Sequence, residues 1–253
     1  MEIRNVAIIA HVDHGKTTLV DQLLKKSETL ESRETIEDRV MDSNDIERER
    51  GITILAKNTA VMYKGCKINI LDTPGHADFS GEVERIMKMV DGVVLVVDAY
   101  EGAMPQTRFV LKEALENNLK PIVVVNKVDK DSARPDEVVD ELLDLFIELG
   151  ANDDQLEFKV VFASATHGTS SLSSDITTQR ETMNPILDLI VSEIPAPSVE
   201  KDGHLQFQGA LLDYNEYVGR MAIGRIKKGT MRTNTMVSCM RLDGSIKSFR
   251  IQK

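Results

Sequence analysis

The chain has 253 residues, with 31 Lys and Arg against 41 Asp and Glu, 42% hydrophobic side chains and 4% aromatic ones. At roughly 150 residues per domain this is about 1.7 domains, and the net charge of −10 is uneven: residues 1–198 hold 21 basic and 36 acidic side chains, residues 199–253 ten basic and five acidic. The lack of Trp argues against base stacking as the main binding chemistry, and the overall acidity argues against a general coat on DNA or RNA.

In chain order, residues 3–10 (IRNVAIIA) are apolar and β-branched and enter a charged loop instead of a cleavage site. They read as a strand buried on both faces and not as a leader. Residues 16–26 read as a helix with Leu19, Leu23 and Leu24 on one face, and residues 28–50, polar and charge-dense, as a mobile loop. The segments 58–63 and 67–71, joined across Lys64-Gly65, read as an antiparallel hairpin at a sheet edge. A helix is expected over 82–90, where Val83, Ile86, Met87 and Val90 recur at helical spacing, then a strand at 93–98. Pro105 begins a helix through Asn118, and 121–126 returns as a strand. A second proline-led helix covers 135–149 with Gly150 as its stop, before the last apolar run at 160–164. Residues 166–183, rich in Ser and Thr, read as a surface excursion ahead of a helix at 184–194. Strand alternating with helix implies α/β architecture, a mostly parallel sheet with helices on both faces.

The stretch IPAPS (194–198) reads as a stiff linker. Beyond it, short alternating segments punctuated by Gly209, Gly219, Gly224, Gly229 and Gly244 suggest an all-β barrel of short strands. About 50 residues is only half of an ordinary domain of that kind, so the expected division is 1–198 and 199–253, the latter the start of a barrel that continues past Lys253. Cys66 and Cys239, far apart and without a CxxC pattern, support neither a disulfide framework nor a zinc site and suit a reducing, cytoplasmic setting. No apolar stretch approaches the roughly 18–20 residues of a membrane span.

Three strand-end motifs carry chemistry. Ala10-His11-Val12-Asp13-His14-Gly15-Lys16-Thr17 fits the phosphate loop G-x-x-x-x-G-K-[ST] with Ala10 at the first glycine position. Gly15 lets the backbone approach an anion, amides at the helix start point at it, Lys16 reaches outer phosphates, and the Thr17 hydroxyl suits Mg²⁺. A competing reading puts His11, Asp13 and His14 in a metal-dependent hydrolase site, which leaves Gly-Lys-Thr unexplained. Asp72-Thr73-Pro74-Gly75-His76 follows the hairpin, so Asp72 can hold Mg²⁺ through water and the Gly75 amide can touch a terminal phosphate; alone, the same residues make an ordinary turn. Asn126-Lys127-Val128-Asp129 follows the strand PIVVV. Its Asp129 carboxylate can accept from guanine N1–H and the 2-amino group, a donor pair adenine lacks. Ser164-Ala165 offers backbone amides to the base carbonyl. Phosphate, metal and base elements in this order make a GTP site.

At this point the sequence resembles translational GTPases, through AHVDHGKTT (10–18), ERERGITI (47–54), DTPGHADF (72–79), NKVD (126–129) and SA (164–165). The stretches 40–61, 104–115 and 212–229 look most like the TypA/BipA family, with elongation factors Tu and G poorer matches there. The resemblance implies GTP contacts at Asp13, His14, Gly15, Lys16, Thr17, Thr18, Asn126, Lys127, Val128, Asp129, Ser164 and Ala165, with GDP as product. It implies Mg²⁺ held by Thr17, Thr53 and, through water, Asp72. Gly51, Ile52, Thr53 and Gly75 would form the switch, within segments of about 28–54 and 72–85. His76 would be catalytic, orienting the attacking water behind an apolar gate of Val12 and Ile52; its plainer reading is a surface turn histidine. Asp13 is implied to help place the surroundings of His76 or to hold a monovalent cation. With no arginine evidently poised in cis, slow hydrolysis alone and stimulation by the ribosome are expected. The partners implied are rRNA and ribosomal proteins, met by a monomer. Arg220, Arg225, Lys227, Lys228 and Arg232 are the candidate rRNA contacts, unless they simply form a solvated strand face. The function implied is translation under stress and large-subunit assembly. Two alternatives stay open: an elongation-factor-G-like translocation GTPase, and a nucleotide-binding fragment with little turnover.

Overall fold

A computed structural model of the chain describes residues 1–25, 57–73, 80–215, 217 and 219–252. It divides into two compact units, Met1–Pro197 and Ser198–Lys253. The first runs β1 (Glu2–Ala10), α1 (Lys16–Lys25), β2 (Lys57–Tyr63), β3 (Cys66–Asp72), α2 (Ser80–Met87), β4 (Gly92–Asp98), α3 (Pro105–Glu116), β5 (Lys120–Asn126), α4 (Pro135–Glu148), α5 (Asp153–Leu156), β6 (Lys159–Ser164), β7 (Thr169–Ser171) and α6 (Asn184–Glu193). The supposed mobile loop at 28–50 lies outside the described residues.

Among the described residues, these strands pair in the order β2-β3-β1-β4-β5-β6-β7. β3, β1, β4, β5 and β6 are mutually parallel, and the edge strands β2 and β7 are antiparallel to their neighbours. The run GVVLVVD of β4 is buried throughout, as a central strand covered on both sides must be. Alternation divides its neighbours between the two covers. Val6, Ile8, Val94, Val96, Ile122 and Val124 share a core with α1 and α6. The intervening Ala7, Ile9, Val93, Leu95, Val123 and Val125 are equally buried and turn to the other face, where α3 and α4 pack on β1, β4 and β5. Each Val, Leu or Ile among them, removed from water, contributes about 1.5–3 kcal/mol.

Local signals set the element ends. Lys64 and Gly65 both have positive φ, 47° and 74°, the conformation a two-residue hairpin turn requires, and they join Tyr63 to Cys66 directly. Pro105 and Pro135 open α3 and α4. Gly150, at φ 78°, ends α4: its amide donates to Ile147 O and that of Ala151 to Phe146 O. α2 stops at Met87, short of the expected Val90, since Met89 N donates in a tight turn to Ile86 O.

The segment 166–183 lies largely at the surface as expected, but it includes the short strand β7, in which Ser170 and Ser171 are buried. Their hydroxyls are satisfied locally: Ser170 Oγ donates to Thr182 O at 2.6 Å and Ser171 Oγ meets Thr178 Oγ1 at 2.6 Å. Hydroxyl-rich composition hides a strand whenever turn groups supply partners at this density.

The second unit contains β8 (Gln206–Asn215), β9 (Gly219–Lys228), β10 (Met236–Met240) and β11 (Ile246–Arg250). These form two antiparallel hairpins, β8 with β9 and β10 with β11, each a separate two-stranded sheet among the described residues. β8 and β9 are ten residues long, not short as their glycines suggested. Register shifts at Gln206/Phe207 and Gly209/Leu211 absorb the irregularity. A Cβ at Gly224 would lie 2.0 Å from Gln208 O, so this glycine permits strand pairing where it was read as punctuation.

Candidate functional site

Four parallel strands end on a polar residue: Asp72 on β3, Asp98 on β4, Asn126 on β5 and Ser164 on β6. None is more than 2% exposed. With the loop after β1 they line one edge of the sheet, the place where open α/β folds bind ligands. Buried polar groups must find partners, and here those partners belong to the neighbouring loops.

Asn126 is the centre. Its Nδ2 donates to His14 O at 2.8 Å and its Oδ1 accepts from Ala165 N at 2.9 Å. One amide thus joins the loop after β1, its own loop and the loop after β6. Gly15, at φ 88°, has no room for a side chain, because a Cβ would stand 2.4 Å from Asn126 Nδ2. The sequence motif explains this glycine through approach to an anion; the fold adds an interlock with Asn126.

Lys16, 8% exposed, pairs with Asp72 Oδ1 at 2.6 Å and donates to Thr73 O. Thr73 Oγ1 donates to Ile8 O at 2.8 Å, fastening the end of β3 to β1. Thr17 is half-buried at the start of α1, while Asp13 and Thr18 are exposed. Asp13 has φ 64°. The hydroxyl of Thr17 and the carboxylate of Asp72 are hard oxygen donors of the kind Mg²⁺ takes, and they fit that ion.

His14 is enclosed. Its Nε2 lies 3.1 Å from Glu101 Oε2, and since a carboxylate only accepts, that nitrogen carries the proton. Burial, reinforced by the nearby His11, pushes the His14 pKa below the ordinary value against the opposing pull of Glu101 and Asp98. His14 therefore has only its backbone to offer a ligand at the loop surface. Among the described residues there is no cluster of three or more His, Cys, Asp or Glu able to hold a metal, so His11, Asp13 and His14 do not form the hydrolase centre considered from sequence.

Lys127, at φ 63°, turns back from its loop to donate to Asp13 O and to pair with Asp98 Oδ2 at 2.8 Å. Lys130 reaches the same oxygen at 3.2 Å, and the Tyr100 amide donates to Asp98 Oδ1 at 2.8 Å. Burial alone would raise the Asp98 pKa; hydrogen bonds from Lys127, the Tyr100 amide and Lys130 outweigh it and hold the carboxyl at about 2. Val128 is buried and donates its amide to Ala163 O at 3.3 Å. Asp129 is partly exposed, with His167 Nδ1 3.6 Å from its Oδ2. His167 Nδ1 also lies 2.9 Å from Ser164 Oγ.

The edge thus gathers Asp13, His14, Gly15, Lys16 and Thr17 with Asp72, Asn126, Lys127, Val128, Asp129, Ser164 and Ala165. Gly51, Ile52, Thr53, Gly75 and His76 lie outside the described residues, as does most of each expected switch segment. Sequence reasoning missed Asp98, Glu101 and His167. Asp98 had a legible signal, since it ends an apolar run as Asp72 does, and it pairs in register with Asn126. Glu101 and His167 stand in loops where nothing in the spacing marks them.

The described residues contain no helix long and apolar enough to cross a membrane. Comparison with known proteins finds "Large ribosomal subunit assembly factor BipA" of Bacillus subtilis (strain 168), 67% identical over 252 residues, covering 100% of this chain and 41% of that protein. The protein of the same name from Salmonella typhimurium is 56% identical over 251 residues, covering 99% and 41%. The chain therefore spans less than half the length of these relatives. Among solved structures, a bacterial selenocysteine-specific elongation factor, EF-Sec, superposes with a TM-score of 0.70 at 24% identity, over 97% of this chain and 38% of that one, a likeness of fold. The family described as "Elongation factor Tu GTP binding domain" matches residues 1–196. By that match over most of its length, the chain belongs to the family of elongation factor Tu GTP-binding domains.

Proposed function

We propose that this chain binds GTP and GDP, hydrolyses GTP with Mg²⁺, and is the switch part of a ribosome-associated GTPase of BipA type that serves large-subunit assembly. The observation that carries the reading is the Asn126 side chain, which ties the Gly-Lys-Thr loop to the Asn-Lys-Val-Asp and Ser-Ala loops at one sheet edge. Phosphates are to rest at the start of α1 on backbone amides of the loop, with Lys16 exchanging Asp72 for phosphate oxygens. Asp129 is to accept from the guanine N1–H and 2-amino group, while Lys127 and Val128 hold its loop. Thr17, Asp72 and, by resemblance, Thr53 are the Mg²⁺ set; bound there, the ion neutralises charge on the transferring phosphate. His76 orients water, Val12 and Ile52 gate it, and Gly51 and Gly75 move with the switch, again by resemblance. A monovalent cation beside Asp13 belongs to the same reading.

Hydrolysis is to be slow until the ribosome completes the site. Residues 199–253 are read as the first part of a barrel domain whose Arg220, Arg225, Lys227, Lys228 and Arg232 meet rRNA. The protein is read as a cytoplasmic monomer with ribosomal proteins as its other partners and no DNA or membrane role. Calorimetry with GDP and ADP tests the base site: GDP alone should bind, and Asp129→Asn should weaken it by at least about tenfold. Unchanged GDP affinity in that variant removes Asp129 from the reading. Single-turnover hydrolysis with and without ribosomes tests the rest, with His76→Ala expected to bind normally and lose the stimulated rate.

A further inference from the structure

We propose that His167 is a specificity-determining residue of the base site, one that positions Asp129 so that both carboxylate oxygens face the guanine edge. The proposal rests on the nucleotide reading above and extends it to a residue that no motif contains.

A carboxylate that recognises two donors at once must be held in one plane. Lys127 and Lys130 beside Asp129 in sequence are committed elsewhere, to Asp98. The polar group set against Asp129 is the His167 ring, with Nδ1 3.6 Å from Oδ2. At that separation the ring stands against the carboxylate without a direct hydrogen bond to it. The ring, 63% exposed, is held at the same nitrogen by Ser164 Oγ, 2.9 Å away. Ser164 is 2% exposed and ends β6, so it is a rigid anchor.

Backbone geometry supplies the rest. Ala165 through Gly168 form a tight turn in which Gly168 N donates to Ala165 O at 3.3 Å, with Gly168 at φ 64°. The turn carries His167 back over the strand end that holds Ser164. The Asp129 loop is pinned to the same strand by Val128 N to Ala163 O. Ser164, His167 and Asp129 are thus brought together by two loops anchored on one strand. The Ser164 hydroxyl serves the histidine, which leaves the Ala165 region to meet the base through its backbone.

A carboxylate released from this arrangement rotates about its Cβ–Cγ bond and presents its second oxygen less often. The loss falls on guanine, which offers two donors, more than on hypoxanthine, which lacks the 2-amino group. The experiment measures GDP and IDP affinity by calorimetry for the 253-residue chain and for His167→Ala, His167→Asn and His167→Gln, with circular dichroism to verify folding. His167→Ala should weaken GDP about three- to tenfold and IDP less, so that the preference for GDP over IDP falls. His167→Asn places an amide nitrogen near the position of Nδ1 and should restore the preference; His167→Gln, which reaches toward the position of Nε2, should not. An unchanged preference in His167→Ala overturns the proposal, as does equal behaviour of the Asn and Gln variants. Failure of the unsubstituted chain to bind GDP overturns the nucleotide reading itself and the proposal with it.

Discussion

The two units spend their apolar residues differently. In Met1–Pro197 the central strand β4 is buried at every position, and the sheet has helices on both faces. In Ser198–Lys253 every residue of β11 and four of five in β10 are exposed, with Ile246, Met240 and Leu242 63%, 74% and 109% exposed. The first unit buries its apolar side chains beneath the polar strand ends Asp72, Asp98, Asn126 and Ser164. The second is held by backbone ladders. Two-stranded hairpins are marginal alone, so the two units should respond differently to the loss of one apolar side chain.

The largest effect should come from the sheet. Leu95→Ala, at a fully buried position, should cost about 2–5 kcal/mol of stability by urea unfolding. Ile246→Ala in the second unit should stay within about 0.5 kcal/mol. Equal costs would break the contrast. Next comes Asp98→Asn, which removes the shared partner of Lys127 and Lys130. Both lysines are partly exposed, so screening limits the cost to about 1–2 kcal/mol at neutral pH.

Its sign follows from the depressed pKa. The stabilisation from Asp98 is complete above the ordinary carboxyl range and is lost as pH falls toward about 2, so Asp98→Asn should flatten the acid limb of stability against pH. His14 acts in the same direction but earlier. Its pKa is lowered on folding, so the unfolded chain takes up the proton first and stability falls as pH drops below about 6.5. His14→Gln should remove that component, and an unaltered profile would show that the imidazole titrates freely. Smallest is Lys112→Ala, which breaks an exposed pair with Glu116 at 3.6 Å; it should leave the urea midpoint unmoved.

Much of the first unit was legible because both its periodicities and its punctuation are strong. VVLVV and IVVV are short and β-branched, as covered strands are, and Pro105, Pro135, Gly150 and Lys64-Gly65 stand where helices and a hairpin begin or end. The serine-rich β7 was hidden because its buried hydroxyls bond to Thr182 O and Thr178 Oγ1, which no local pattern encodes. In the second unit the glycines misled: Gly224 marks close strand pairing, not a break. At the site, the loops that the motifs named meet at one sheet edge because each follows a parallel strand, as those of Lys16 and Asp129 do. His167 was not legible, since its turn meets the Asp129 loop only in three dimensions, whereas Asp98 could have been read from its place at the end of an apolar run.

The bridge made by Asn126 has a spectroscopic consequence. β1 and β6 are separated in the sheet by β4 and β5, yet the Ala165 N–H is bonded to the same amide that holds His14 O. Any shift of the loop after β1 must reach that proton through one planar group. The Ala165 amide resonance, and its rate of exchange with deuterated solvent, is therefore a remote gauge of what occupies the loop after β1, readable without a label on the ligand.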